Sequence, residues 1–435
     1  MKQPPLRRHL SAERARRGQL LCLLLVLTFL PAHAEEYPGL DGEIRVVTTL
    51  ADSGPGSLRE AVAAMGPRVI VFAVGGRIRL QSMLAIRHGT VTIAGETAPS
   101  PGITLTGNTL QISASDVHLR HLRIRVGADT DQPKDNLDGI RILGHKSGPP
   151  LDHVIIDHCS ISWAVDEGLS LWRPPIQDVI IRDTIISEML GQAGHSKGQH
   201  SMGLLVGPGM GPVRIIRNLF AHNRYRNPVL TSGSEVLVSE NVIYNYGWSG
   251  IHSYERTSTG PLLATISGNV VIPGPSSERP PVIDLRRINP GSQVHVADNT
   301  TLAAGMTEPA APLPVRGTLP PVSQAPHGLA APDSLLPPSA LVARVLDTVG
   351  ARPWDRDGTD RRVIQSVRDG TGTVIDTPPM AELDPAPPAV LRPLTLPVEP
   401  VPDADRRARR LEWLQDFAPP SSEPAPLPEQ TFGVP

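Results

Sequence analysis

Lysine is nearly missing from this 435-residue chain, aromatic residues make up only 3% of it, and cysteine occurs twice. Each scarcity excludes something. With so few aromatics, Val, Ile and Leu must fill any core, and 47 prolines with 39 glycines divide the chain into short segments, which argues against a bundle of long helices. The formal net charge of -2, from 41 basic against 43 acidic residues, gives no global field for nucleic acid or a membrane surface. Neither is expected as a partner, and an anionic ligand has to be read by a local patch, made of arginine because lysine is so rare. Of the two cysteines, Cys22 lies in an N-terminal leader, so Cys159 stands alone after export and no internal disulfide framework is expected.

That leader has the form of an export signal. Arg7, Arg8, Arg14, Arg16 and Arg17 make it basic, Leu20 to Leu30 is an apolar run too short to span a bilayer comfortably, and Ala32-His33-Ala34 is a small-x-small cleavage site. Residues 1–34 read as a signal peptide, with the mature chain beginning near Glu35 and a secreted or periplasmic location. Arg16-Arg17 leaves a twin-arginine route open beside general secretion.

A repeat runs through the middle of the chain. Seven segments align by their first apolar residue: VHLRHLRI from Val117, VIIDHCSI from Val154, VIIRDTII from Val179, VRIIRNLF from Val213, VLVSENVI from Val236, ATISGNVV from Ala264 and VHVADNTT from Val294. Their starts lie about 23 to 37 residues apart, the period of a solenoid with variable loops. Apolar positions recurring at period two mark strands, and no amphipathic helical stretch separates them as βαβ units would require. Hairpin turn signals are also too sparse for a β-sandwich. A right-handed parallel β-helix is the fold expected over residues 35–304. The sixth position of the last four segments is Asn218, Asn241, Asn269 and Asn299, which in stacked strands would form an amide ladder. Each rung of such a coil buries its inner face only against its neighbours, so the ends need caps. SLREAVAA, with Ser57 at the N-cap and Glu60 three residues on, supplies a short helix for the N-terminal end. Residues 305–435 are Pro-rich with one or two short helices, expected to be partly disordered and to pack along the coil only in part.

In order along the chain stand DSGPGSLREAV, TIAGETAPSPGITL, LRHLRIRVG, DGIRI, VIIDHCSISWAVDE, KGQHSMGLLVG, NLFAHNRYRNP and NVIYNYG. Together these stretches resemble the pectate lyases of polysaccharide lyase family one. The resemblance covers most of residues 44 to 303 and part of the tail. It implies a right-handed parallel β-helix, in agreement with the repeat, and cleavage of polygalacturonate by β-elimination with calcium, in a monomer acting on an acidic polysaccharide.

Eliminating across a uronic acid removes a proton from the carbon beside a carboxylate, a proton that is weakly acidic until the carboxylate's charge is neutralised. Calcium, held by oxygen ligands, does this as a Lewis acid. The resemblance maps the base onto Arg226 of NRYRNP, although a guanidinium is seldom deprotonated. Calcium, burial and Arg224 nearby all act to favour its neutral form. Arg224 either binds substrate carboxylates or holds the loop. For the metal, Asp138 and Asp166 match family ligands, with Glu167 the alternative to Asp166 if the register slips by one, while Asn136 and Ser170 stand where the family has carboxylates. Two absent charges imply weaker calcium binding than usual for the family. Lys197 and His200 of KGQHSMG lie near a substrate-binding lysine of the family, whose closest register falls on Ser201, and a second family arginine falls on Thr231. Asp157-His158 reads as structural, and Trp163, Trp172 and Trp248 as candidates to line a sugar groove. Two rivals stay open: a β-helix glycoside hydrolase, which needs carboxylates paired across a water, and a carbohydrate-binding coil without chemistry.

Overall fold

The computed structural model describes residues 37–257, 259–303, 311–379, 389–397 and 403–418. The expected signal peptide, residues 1–34, lies outside them. From residue 38 onward the chain winds into three sheets of ten, nine and eleven strands. Within each sheet the strands come from successive turns of the coil. All pairings between turns of the coil are parallel; among the described residues the antiparallel ones lie at the two edges of the eleven-stranded sheet, where Ala311–Pro312 and Val390–Leu391 add themselves. This is the right-handed parallel β-helix expected from the repeat.

The alignment of the seven segments is the register of the ten-stranded sheet. Val117, Val154, Val179, Val213, Val236, Ala264 and Val294 are successive register partners. All seven are buried in one continuous core. Two residues on, Leu119, Ile156, Ile181, Ile215, Val238 and Ile266 form a second buried column. Burying each branched aliphatic side chain contributes about 1.5–3 kcal/mol, so aliphatic stacking fills a core with few aromatics.

A sharp corner follows each of these strands. His121, His158, Asp183, Arg217, Glu240, Gly268 and Asp298 occupy it in the left-handed region, with φ from 47° to 67°. Only one is glycine, so the others bear roughly 1–2 kcal/mol of backbone cost each. At the last four corners, what offsets that cost sits one residue later. Asn218 Nδ2 donates to Asn241 Oδ1 (3.0 Å), Asn241 to Asn269 (2.9 Å) and Asn269 to Asn299 (2.8 Å). The same oxygens accept the backbone N–H of the preceding asparagine at 2.9–3.0 Å. The ladder thus satisfies buried polar groups that the corner would otherwise strand.

Helix α1, Leu58–Ala63, closes the N-terminal end and buries Leu58, Ala61 and Val62. Ser57 Oγ accepts from Glu60 N, but the Glu60 carboxylate reaches Gly56 N (2.6 Å), one residue before the N-cap. At the other end the coil runs past the expected boundary at 304, since Val315–Gly317 pairs in parallel with Ile283–Leu285.

The tail covers one face of the coil. Helices α2, Pro338–Thr348, and α3, Gly358–Asp369, press Leu341, Val345, Leu346, Val363, Ile364 and Val367 onto Ile185, Leu219, Val242 and Val270 of the eleven-stranded sheet. Asp357 caps α3 by accepting from Asp360 N (2.8 Å). A final helix, α4 (Asp403–Gln415), is tied back by Arg410, which donates to the Leu40 carbonyl (2.6 Å). Among the described residues no helix is long and apolar enough to cross a membrane.

Candidate active site

The nine-stranded sheet leaves its outer face open, and a groove of about 1250 Å³ lies across it. Strand register builds its floor. Arg141, Ser170, Leu205, Val229, His252, Asp284 and Arg316 are successive partners on neighbouring strands, and all line the groove. In the middle Leu205 and Val229 are apolar. Charge gathers to either side.

Arg226 occupies a left-handed position (φ 61°) in the loop after Leu219–Ala221. Backbone bonds stitch that loop to the strand Met202–Val206: Gly203 N donates to Tyr225 O (3.0 Å) and Leu204 N to Arg226 O (2.6 Å). Asn223 Nδ2 donates to Asn227 Oδ1 (3.1 Å), and Asn227 Nδ2 to Ser249 O (3.1 Å), bracing the loop from behind. The guanidinium therefore projects from a fixed base into the groove, where its Nη1 contacts Glu167 Oε1. Arg224 turns the other way and pairs with Glu278 (3.1 Å). Its backbone N–H donates to Ser201 Oγ (3.0 Å), so the residue in the family's lysine register serves to hold the arginine loop.

Three carboxylates converge opposite Arg226. Asp138, Asp166 and Glu167 each place an oxygen within 4.8 Å of the others. Asp138 accepts from Arg141 Nε (2.7 Å), Ser170 Oγ (2.7 Å) and Glu167 N (3.3 Å). Burial and the neighbouring Asp138 hold the Glu167 carboxyl well above the usual carboxylate range. The same two causes raise Asp166. Crowded anions of this kind favour protons or a cation. A donor set made only of oxygen suits calcium, and the residues present therefore fit that ion, with Ser170 a hydroxyl against Asp138 where the resemblance would place a fourth carboxylate. Asn136 also lines the groove; its backbone carbonyl accepts from Arg141 Nη2 (2.6 Å).

The loop that carries Lys197 and His200 meets Asp166 from above. Asp135 accepts from Ser196 N (2.8 Å) and anchors it. His195 and His200 stack face to face with ring centroids 3.4 Å apart, their Nε2 atoms 3.4 and 3.6 Å from Asp166 Oδ1. Stacked rings point their in-plane lone pairs side by side, so these two nitrogens do not converge on one ion. Desolvation lowers His200 to about 4, which keeps it neutral at ordinary pH.

The expected site residues are brought together in this one groove: Arg224, Arg226, Lys197, His200, Asn136, Asp138, Asp166 and Glu167 all line it. Trp172 and Trp248 line it too, but Trp163 does not: it is buried under the tail, donating from Nε1 to Glu188 (3.2 Å), which Arg362 of α3 also holds (2.9 Å). Asp157 is buried, bonding His158 Nδ1 (2.6 Å) and Arg182 Nη2 (3.0 Å), as a structural pair should. Sequence reasoning gave no role at this site to His195, two residues before Lys197, or to Arg141, three residues after Asp138. It also missed a set of arginines at 256, 279, 286, 287 and 316 that line the groove from later rungs.

No family model matches the chain. It is 40% identical over 240 residues to a protein named probable pectate lyase C from Aspergillus terreus, covering 55% of this chain and 52% of that protein. Similarity to the protein of the same name from Aspergillus fumigatus is 38% over 240 residues, again 55% and 52%. The chain thus spans about half the length of the curated relatives it matches. Among solved structures, jun a 1, the major allergen from cedar pollen, superposes with a TM-score of 0.51 at 16% identity, over 72% of this chain and 92% of that one, a likeness of fold. Over some 240 residues, then, the chain is similar to proteins named probable pectate lyase C.

Proposed function

We propose that the protein is a secreted polysaccharide lyase that cleaves polygalacturonate, or a related uronic-acid polymer, by β-elimination with Arg226 as base. The observation that carries this reading is the placement of Arg226 across from Asp138, Asp166 and Glu167 in the open groove. The names of the relatives, pectate lyase C, point to the same substrate class.

Asp138, Asp166 and Glu167 would hold calcium, which when bound neutralises a substrate carboxylate and acidifies the adjoining C–H. The chain's own residues do the rest. Arg226, in its neutral form, takes the proton from the carbon beside the carboxylate onto a guanidine nitrogen. The C–H electron pair becomes the double bond to the next carbon, the glycosidic C–O bond on that carbon breaks with its electron pair on oxygen, that oxygen takes a proton from water, and protonated Arg226 returns its proton to the resulting hydroxide. Asn223 and Asn227 hold the base loop so that this nitrogen meets one face of the sugar. Lys197 and His200 overhang the acidic side, where Lys197 offers a charge to a substrate carboxylate and a neutral His200 offers its ring nitrogen.

The test is growth of ultraviolet absorbance from polygalacturonate, with calcium and with a chelator, for the wild type and Arg226→Ala. The unsaturated product should form with calcium, and the variant should lose about 10²- to 10⁴-fold in rate, the usual loss of a positioned base. A hydrolase would release reducing ends without absorbance, and a binding coil would do neither.

A further inference from the structure

Ten cationic residues line the groove against five acidic ones, on a chain whose net charge is -2. Seven of its arginines fall into two kinds. Arg141, Arg224, Arg226 and Arg286 each face a carboxylate, on Asp138, Glu278, Glu167 and Asp284 respectively. Arg256, Arg279 and Arg287 have no carboxylate partner among the described residues, and all three are exposed. Each lies instead on the face of an aromatic ring: Arg279 on Trp248 at 4.3 Å, Arg287 on Tyr254 at 4.3 Å and Arg256 on Trp172 at 5.3 Å. Trp172, Trp248 and Tyr254 are exposed at 38%, 38% and 42%, unusual for large apolar side chains and in this case all on one groove.

A cation over a ring face has a chemical consequence. Cation–π attraction holds the guanidinium in place, and with no carboxylate partner its N–H donors stay available to a ligand. Those donors match a carboxylate in a bidentate fork. Two of the pairs also stand away from the acids. Trp172 is five residues along its strand from Glu167, roughly 17 Å at the rise of a β-strand. Tyr254 ends a strand three rungs further on in the sheet, roughly 14 Å at the spacing of neighbouring strands. Trp248, in the loop that leads into that strand, lies nearer the base loop, its ring edge-on to Tyr225 with centroids 5.9 Å apart. An anion bound at Arg256 or Arg287 is therefore not the one beside Asp138, Asp166 and Glu167.

We infer that Arg256, Arg279 and Arg287, each preset by its aromatic ring, are carboxylate subsites that anchor long, unesterified stretches of polyuronide without a metal ion. The acidic cluster alone repels such a chain and needs a cation to accept it; the arginine pairs attract it directly. This rests on the reading of the substrate as a polyuronide, and it goes further by dividing the groove into a metal-dependent reaction centre and a metal-independent grip. Methyl esters on the distant sugars remove the charge that the forks recognise, and short oligomers do not reach all three.

Binding in excess chelator separates this grip from catalysis. Affinity electrophoresis through gels containing polygalacturonate, fully methyl-esterified polygalacturonate or no polymer would compare the wild type with R256Q, R279Q and R287Q, singly and combined. Titration with trigalacturonate gives the short-chain reference. The wild type is expected to be retarded by the unesterified polymer alone, less so as salt rises. Each substitution should weaken binding about threefold to tenfold, and the combined substitution should cost trigalacturonate binding less than it costs polymer binding. Melting curves identify any variant that fails to fold, in which case the single substitutions and R279K, which keeps the charge and loses the fork, carry the comparison. Equal retardation of the combined variant and the wild type, or equal retardation by the esterified polymer, overturns the inference. Retardation that depends on the three arginines in a protein that makes no unsaturated product would leave the grip standing and remove the lyase reading.

Discussion

Two outer faces of the same coil treat arginine in opposite ways. On the eleven-stranded sheet, Arg123 and Arg125 are buried under the tail, and the ends of their guanidinium groups are held by protein partners. Arg125 donates to Asp360 Oδ1 (2.5 Å) and Ser162 Oγ (2.7 Å), and Arg123 to the carbonyls of Asp355 (2.7 Å) and Ala351 (3.1 Å). On the nine-stranded sheet no described element covers the groove, and Arg256, Arg279 and Arg287 face solvent from their aromatic rings. The repeat makes the two faces alike in backbone. Cover makes one of them structure and the other a site, because an arginine deprived of water must be paired within the protein, while an arginine left in water is available to a ligand.

Breaking the buried side should give the largest effect. Asp360 sits beneath α3, accepting from Arg125 and from Ser160 Oγ (2.7 Å). Asp360→Ala leaves Arg125 charged, buried and without its main partner, at an expected cost of about 3–5 kcal/mol. Chemical denaturation of the variant should show that loss, while the rate on polygalacturonate below its melting point should stay near wild type because the groove lies on another face.

A pH scan sharpens the same comparison. His222 is buried between coil and tail, with Nε2 2.8 Å from Ser366 Oγ and Nδ1 2.8 Å from Asn245 Nδ2. Desolvation lowers it from 6.5 to about 4. The unfolded chain therefore takes up this proton first as the pH falls. Stability is complete above about 6.5 and declines as the pH drops towards 4, by about 1.4 kcal/mol per pKa unit. His222→Gln should flatten the decline of melting temperature across that window and leave the profile above pH 7 unchanged.

The smallest effect is expected on the open side, and with the opposite sign. Asp166 is raised by burial and by Asp138, so at neutral pH its charge opposes folding. Asp166→Asn should gain about 1 kcal/mol at pH 7 while losing calcium-dependent activity. The sign follows from linkage: a carboxyl raised on folding favours the folded state only while protonated, so the gain disappears as the pH falls below the ordinary 3.8. Denaturant midpoints at pH 7 and pH 3 read it directly.

Much of the coil was legible because its physics is local and repeated. Val117 through Val294 recur at one register, and stacking requires each to be apolar, so the alignment of seven segments was already the ladder of the sheet. Asn218, Asn241, Asn269 and Asn299 were legible for the same reason, since each can satisfy its corner only through the next. Eight of the residues that line the groove were singled out through short motifs: Arg224 and Arg226 in one, Lys197 and His200 in another, Asn136, Asp138, Asp166 and Glu167 in two more.

What the sequence could not tell is which faces are covered. Trp163 and Trp172 are nine residues apart and look alike as candidates for a groove, yet Trp163 is buried beside Arg125 and Glu188, which the tail holds, while Trp172 stands in solvent. Nothing near Arg125 announces that Asp360, 235 residues later, will bury it. Nor does anything near Arg287 announce Tyr254 beneath it. The period of the strands determined the coil, because each rung is built from its own residues and its neighbours. Tertiary structure alone decided where water is excluded, because that depends on what a distant part of the chain lays over each face.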